Sequence, residues 1–278
     1  MTALSQLGEL GLLAELERRG LIVGVADDAA QLDGGLIVTQ DALVEGVHFR
    51  FDWLGWRELG WRAAAANLSD LAASGAHPDG FVLTLAVPPA TAVADVIALY
   101  EGIAETGVPV LGGDLTAASQ VLLSMTALGH SARVPGRSGA RPGDALVVSG
   151  PLGRAGVAFR HRSYARFPSR LDEGRQLAAT AHAMLDLSDG IAVDAGHLAR
   201  RSGVRCVIDL RSVPLAPGAT IADLAFCEDF ELLAAVAPDG RAALPAGCVV
   251  VGRVEAGEGV ELLLDGSPHS LGGWEHFS

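Results

Sequence analysis

Residues 81–116 read FVLTLAVPPATAVADVIALYEGIAETGVPVLGGDLT. Phe81 to Val87 is an apolar, strand-like run that stops at the Pro88-Pro89 pair. Ala92 to Glu105 carries its apolar residues at helical spacing and leads through Gly107, a helix stop. Val108 to Leu111 is then expected as a short buried strand running into Gly112-Gly113-Asp114. Strand, helix and strand in succession mark an α/β or α+β chain. The same stretch contains the most apolar long window, Phe81 to Tyr100. Its prolines and Asp95 make that window a strand followed by a helix, not a membrane span.

The alternation continues on both sides. The N-terminal MTALSQLGELGLLAELERRG reads as an amphipathic helix; it lacks the basic start and unbroken apolar run of a signal peptide, which predicts a cytoplasmic protein. Leu36 to Gln40 is an extended run ending on Asp41, Trp56 to Ser74 is a long helix stopped by Gly75, and Val121 to Leu128 is a strand. Ser131 to Gly143, rich in Gly, Pro and Arg, is the expected boundary. Beyond it come a strand at Ala145 to Ser149, helices near 152–160, 171–183 and 191–202, a strand at Cys206 to Leu210, and strands near 248–254 and 260–265. Two domains are predicted, residues 1–135 and 136–278.

At 278 residues, 50% hydrophobic and 19% charged, the chain has ample material for a core. Its net charge of −13 argues against nucleic-acid partners, whose binders carry basic stripes. Every Lys/Arg position is Arg. That excludes lysine-dependent phosphate loops and Schiff-base chemistry. Cys206, Cys227 and Cys248 are scattered and form no C-x-x-C pair, as expected of packing residues in a reducing compartment.

The aspartates carry the chemistry. Asp27-Asp28 in GVADDAA, Asp41 after LIVTQ, Asp114 in LGGDLT, and Asp186 and Asp189 in LDLSDG sit where apolar segments meet turns; Asp70 lies near a helix end in NLSDLAASG. Carboxylates at strand C-termini collect at one sheet edge, where α/β proteins bind ligands. Two unit charges 4 Å apart repel by about 4 kcal/mol at an effective dielectric near 20. A lysine-free cluster therefore suits hard cations such as magnesium, which favours carboxylates, waters and phosphate oxygens. The competing explanation is that each aspartate caps a helix or closes a turn.

The ordered series GVADDAA, TQDALVEGVHF, NLSDLAASGAHPDGF, LGGDLT, GRSGARPGD, LDLSDGIAVD, CEDFELL and GWEHF covers nearly the whole chain. It resembles the thiamine-monophosphate kinase family, within the superfamily named for aminoimidazole ribonucleotide synthetase. The resemblance implies an N-terminal α/β domain whose sheet pairs with its twin in a homodimer, a second α/β domain beside it, and nucleotide and metals in the cleft. It implies ATP-dependent phosphorylation of thiamine monophosphate. Asp28, Asp41, Asp70, Asp114, Asp186 and Asp189 match the magnesium ligands, with Thr39 and Gln40 where hydroxyl residues help hold metal. Gly113, Asp114, Arg137, Ser188 and Tyr100 match nucleotide contacts. His48, Glu228 and Trp274 match positions that hold thiamine monophosphate.

Physical chemistry supports several of these roles. Arg137 in a Gly-flanked loop can fork onto phosphate oxygens. Gly112-Gly113 lets backbone N–H groups approach phosphate. Trp274 offers a flat face to a ring or a thiazolium cation, and Glu228 can accept from an aminopyrimidine. Each also has a plain structural explanation: a solvated Arg, a His48 turn, a packing Trp274, a glycine turn, and Glu228, Asp229 and Glu231 as first-turn acids of a helix. The acceptor phosphate is ionised at neutral pH, so no general base is required and direct in-line transfer is expected. Three departures from the family stand out, namely Ala26, Gln40 and Cys227, and the second domain is shortened around 160–175 and 236–248. The alternatives are another ATP-using enzyme of the superfamily, or a non-catalytic nucleotide- and metal-binding paralogue.

Overall fold

The computed structural model describes residues 3–22, 27–226 and 228–274. Ala26, Cys227 and the last residues of the GWEHF motif therefore lie outside the described residues. Helix α1 (Leu4–Arg18) precedes a five-stranded sheet of β1 (Ala30–Gln31), β2 (Leu36–Val44), β3 (His77–Val87), β4 (Val110–Ala117) and β5 (Leu122–His130). Its order is β1-β2-β5-β3-β4. Only the β3–β4 pair is parallel, joined by α3 (Val93–Ala104) as a crossover.

Phe81, Leu83, Leu85, Leu123, Met125 and Ala127 point to the face covered by α3 and α2 (Trp56–Ala73). Their neighbours Val82, Thr84, Ser124 and Thr126 alternate onto the opposite face. The helices cross at Gly60 and Gly102. A Cβ on Gly102 would stand 1.9 Å from the Arg57 carbonyl oxygen, and one on Gly60 1.9 Å from that of Leu99. Gly102→Ala must push the helices apart. We expect a loss of about 2 kcal/mol, read as a melting point lower by roughly 5 °C.

Strands β6 (Ala145–Val148), β7 (Ala181–Asp186), β8 (Arg205–Asp209), β9 (Leu232–Val236), β10 (Val249–Glu255), β11 (Gly259–Leu264) and β12 (Ser267–His269) make the second sheet. They run in the order β12-β11-β8-β10-β6-β9-β7. Leu146, Val148, Leu185 and Leu233 pack with α6 (Ile191–Ser202) on one face. Ala145, Val147, Met184, Leu232 and Ala234 meet α5 (Leu171–Ala178) and the end of α2 on the other. Strands buried on both faces read as continuous apolar runs, as ALVV and LLAAV do.

Helix α2 is the shared post. Leu59, Leu68 and Leu71 enter the first core, Ala72 and Ala73 the second, and Ala65 and Ala66 meet Phe167 and Phe230. Beyond its exposed first turn α2 is buried against these neighbours, and its run of alanines favours the helix itself. Gly75, at φ 61°, ends it.

Several elements differ from expectation. β2 passes through Asp41 to Val44, so Asp41 is in mid-strand. β4 is exposed along its length and includes Gly112, Gly113 and Asp114 as strand residues. A Cβ on Gly113, at φ 154°, would stand 1.8 Å from Leu83 O, so tight strand pairing requires glycine there. The helix expected over 171–183 stops at Ala178, and β7 begins at Ala181, where pairing with β9 overrides local helix propensity. Residues 228–231 form no helical turn; they lead into β9, with Glu228 at φ 75° and Phe230 at φ 51°. Among the described residues no helix is long and apolar enough to cross a membrane.

Candidate active site

A cleft of about 1490 Å³ is lined from both halves of the chain. β2 supplies Thr39 and Asp41, α2 supplies Asp70, the loop before β1 supplies Asp28, and the end of β7 with the turn after it supplies Asp186, Ser188 and Asp189. Carboxylate oxygens of Asp28, Asp70 and Asp186 lie within 4.8 Å of one another.

Two hydroxyls order these carboxylates. Ser69 Oγ donates to Asp186 Oδ2 at 2.6 Å, and Thr39 Oγ1 donates to Asp70 Oδ2 at 2.6 Å while lying 3.1 Å from Asp28 O. Ser69 of α2 thus holds a carboxylate of the second half of the fold, while its neighbour Asp70 is held by Thr39 of β2.

Arg137, in the loop between the two sheets, is the nearby cation. Its Nε donates to Asp28 Oδ1 at 2.8 Å, and its backbone N–H to Asp27 Oδ1 at 2.6 Å. The guanidinium therefore binds a carboxylate of the cluster. Arg137→Gln leaves Asp28 without its counter-ion. Without metal, we expect a loss on the order of 2 kcal/mol, seen as a lower melting point that magnesium restores.

Crowded, buried carboxylates resist ionisation. Burial pushes Asp186 up to about 8, and the negative charge of Asp28 adds to it. Burial, then Glu228, Asp189 and Asp28, push Asp41 up to about 6. Asp70 is raised well above the usual carboxylate range by burial and by Asp41, Asp186 and Asp28. Asp28 is raised by burial, although Arg137 pulls it back down. Hard oxygen donors that repel one another in this way fit a divalent cation such as magnesium.

The remaining predicted residues divide. His48, Glu228 and Trp274 also line the cleft. His48 Nδ1 accepts from the Val44 N–H at 3.1 Å, which puts the ring proton on Nε2. Glu228 N–H donates to Ser188 O at 2.9 Å, and Trp274 N–H to Asp189 O at 3.0 Å, tying both segments to the turn after β7. Gln40 also borders the cleft, but its side chain bonds Ser124 and Thr126 on the neighbouring strand.

Tyr100, Gly113 and Asp114 do not line the cleft. β4 lies three strand spacings from β2, about 14 Å, and Tyr100 packs against the first core from α3. Asp229 and Glu231 have structural work. Asp229 accepts from the N–H groups of Gly153 and Ala155 at the start of α4 (Arg154–Arg160), and Glu231 binds Arg170 through both oxygens at 2.6 and 2.8 Å.

The chain matches the N-terminal domain of AIR synthase related protein over residues 26–131 and the C-terminal domain over 141–265. A thiamine-monophosphate kinase of Mycobacterium tuberculosis (strain ATCC 25618 / H37Rv) is 34% identical over 317 residues, covering 99% of this chain and 93% of the relative. That of Aquifex aeolicus (strain VF5) is 32% identical and covers 99% of both. The chain belongs to the thiamine-monophosphate kinase family. A solved structure of AaThiL complexed with AMPPCP and TMP superposes with a TM-score of 0.88 at 31% identity, covering 99% of both chains. The hydrogenase maturation protein HypE of E. coli, at 21% identity and a TM-score of 0.72, shares the fold alone.

Sequence reasoning missed the aromatic and cationic end of the cleft in this member of the thiamine-monophosphate kinase family. Phe159 and Tyr164 line it beside Glu228, with Trp53 5.3 and 5.7 Å from their ring centroids. Arg62 of α2 pairs with Glu228 and stacks on Tyr164. These residues come from three separate segments, none with a motif. A signal was present only in Arg62, an arginine inside an otherwise apolar helix stretch.

Proposed function

We propose that the chain transfers the γ-phosphoryl group of ATP to thiamine monophosphate in a direct in-line step, giving thiamine diphosphate. The observation that carries this is the convergence of Asp28, Asp70 and Asp186 at the cleft wall, in a chain whose family relatives are thiamine-monophosphate kinases. The AMPPCP and TMP of the structural relative support both substrates. ATP and the monophosphate together bring about six negative charges near neutral pH. Asp28, Asp41, Asp70, Asp186 and Asp189 would hold several magnesium ions, with Thr39 assisting. When bound, magnesium supplies neutralisation and orientation of the phosphates.

The protein's own groups do the rest. Arg137 contacts the nucleotide phosphates from its pairing position on Asp28, with Ser188 beside it. His48, Glu228 and Trp274 hold the acceptor: Glu228 accepts from the aminopyrimidine, and Trp274 stacks a ring. The acceptor phosphate is already an anion, so no side chain has to remove a proton before attack.

We also propose residues 1–135 and 136–278 as the two domains, and a cytoplasmic homodimer formed through the first sheet. The free thiols of Cys206 and Cys248 suit a reducing compartment. Support for the dimer is the exposure of Leu111, Leu115 and Val82 at β4 and β3, at 58%, 64% and 40%. Such pairing offers Gly113 and Asp114 of one protomer a route to the cleft of its partner. Sedimentation is expected to give a dimer at micromolar concentration and a weaker one for Leu115→Arg; a monomer in the wild type contradicts the dimer.

The test of function is incubation with ATP, magnesium and thiamine monophosphate, with an Asp41→Asn control. Thiamine diphosphate is expected from the wild type alone, and only with magnesium. ATP binding without product would favour a non-catalytic paralogue or another acceptor.

A further inference from the structure

Arg62 lies on α2 with 5% of its surface exposed, directly behind the acceptor end of the cleft. Its guanidinium carbon stands 4.2 Å over the Tyr164 ring, and its Nη2 ion-pairs with Glu228 Oε2. Nη2 is fully buried and makes no hydrogen bond of normal geometry, so its compensation is the Glu228 charge and the Tyr164 face.

Glu228 is clamped from the other side too. Its backbone is at φ 75°, a left-handed conformation that a glutamate adopts only under constraint, and its N–H is bound to Ser188 O at 2.9 Å. Glu228 and Tyr164 both line the cleft; Arg62 does not. Arg62 is thus the cation at the back of the Glu228 carboxylate.

We propose that Arg62 is a positioning and specificity-determining residue for the acceptor. It fixes the Glu228 carboxylate so that an aminopyrimidine donor meets it at the right place. The assignment rests on Glu228 holding the acceptor, as in the function above. Arginine suits this place because one planar group can stack on a ring and pair with a carboxylate at once, which a lysine ammonium cannot do.

The test is steady-state kinetics on Arg62→Gln, Arg62→Lys, Glu228→Gln and the Arg62→Gln/Glu228→Gln double variant, each checked for folding by thermal melt. Arg62→Gln is expected to raise KM for thiamine monophosphate roughly 10- to 100-fold, leaving kcat and KM for ATP within about twofold. Arg62→Lys falls between it and wild type. In the Glu228→Gln background, Arg62→Gln adds no further increase. If Arg62→Gln does not fold, Arg62→Lys alone and combined with Glu228→Gln gives the same comparison. An unchanged acceptor KM beside an active wild type overturns the role of Arg62. So does a fall in kcat that tracks lost folded protein. A wild type inactive on thiamine monophosphate sinks the proposed function, and the role of Arg62 with it.

Discussion

An Asp186→Asn protein is expected to lose at least a thousandfold in kcat while melting no lower than wild type in EDTA at pH 9. Asp186 is 2% exposed and lies within 4.8 Å of the Asp28 and Asp70 oxygens. An amide keeps an oxygen to accept from Ser69 Oγ, so the local hydrogen bond survives. What it loses is a charge that the apo cluster resists and the loaded cluster needs. A thousandfold corresponds to about 4 kcal/mol of transition-state stabilisation, the scale expected when phosphate charge loses a metal-holding carboxylate. Steady-state kinetics and melts on the same preparation check both halves. Activity within tenfold of wild type would remove Asp186 from the metal site.

The metal-free wild type is expected to become less stable as pH rises from 6 to 9. In the unfolded chain an aspartate titrates near 3.9. Burial and neighbouring charges hold Asp186 at about 8 and Asp41 at about 6, and also raise Asp28 and Asp70. Between those limits the folded chain binds more protons than the unfolded one, so unfolding free energy falls with rising pH. The contribution is fully present near pH 4 and gone once pH has passed the folded values. A loss of about 2 kcal/mol across this range lowers the melting point by roughly 5 °C. Magnesium competes with protons for the same oxygens, so it should raise the melting point more at pH 9 than at pH 6. A flat profile in EDTA, or equal effects of magnesium at both pH values, would contradict an acidic site built to be completed by metal.

The sequence made most of this cleft legible because each aspartate sits beside a local structural signal. Helix α6 runs over the expected 191–202, and Gly75 ends α2 as anticipated. Asp28, Asp70 and Asp186 come from three motifs far apart in the chain and meet in space. Asp114 and Gly113 did not join them, because β4 pairs on the far side of β3 and its strand order is a tertiary choice with no local code. Gln40 was matched to the metal site through the family resemblance, but strand alternation turns its side chain to the other face. β9 reads LLAAV, a run too short to distinguish from a buried helix segment. The Arg62–Glu228–Tyr164 group is the least legible part of the site, since a buried ion pair and a ring stack depend on packing between segments about 100 and more residues apart.

Rapid-quench analysis of a single turnover with γ-labelled ATP, thiamine monophosphate and magnesium tests the central claim most directly. The expected result is label passing from ATP straight into thiamine diphosphate, with none on the protein at any time and no transfer in EDTA. Label that first accumulates on the protein, or product formed at the same rate without divalent metal, would contradict it.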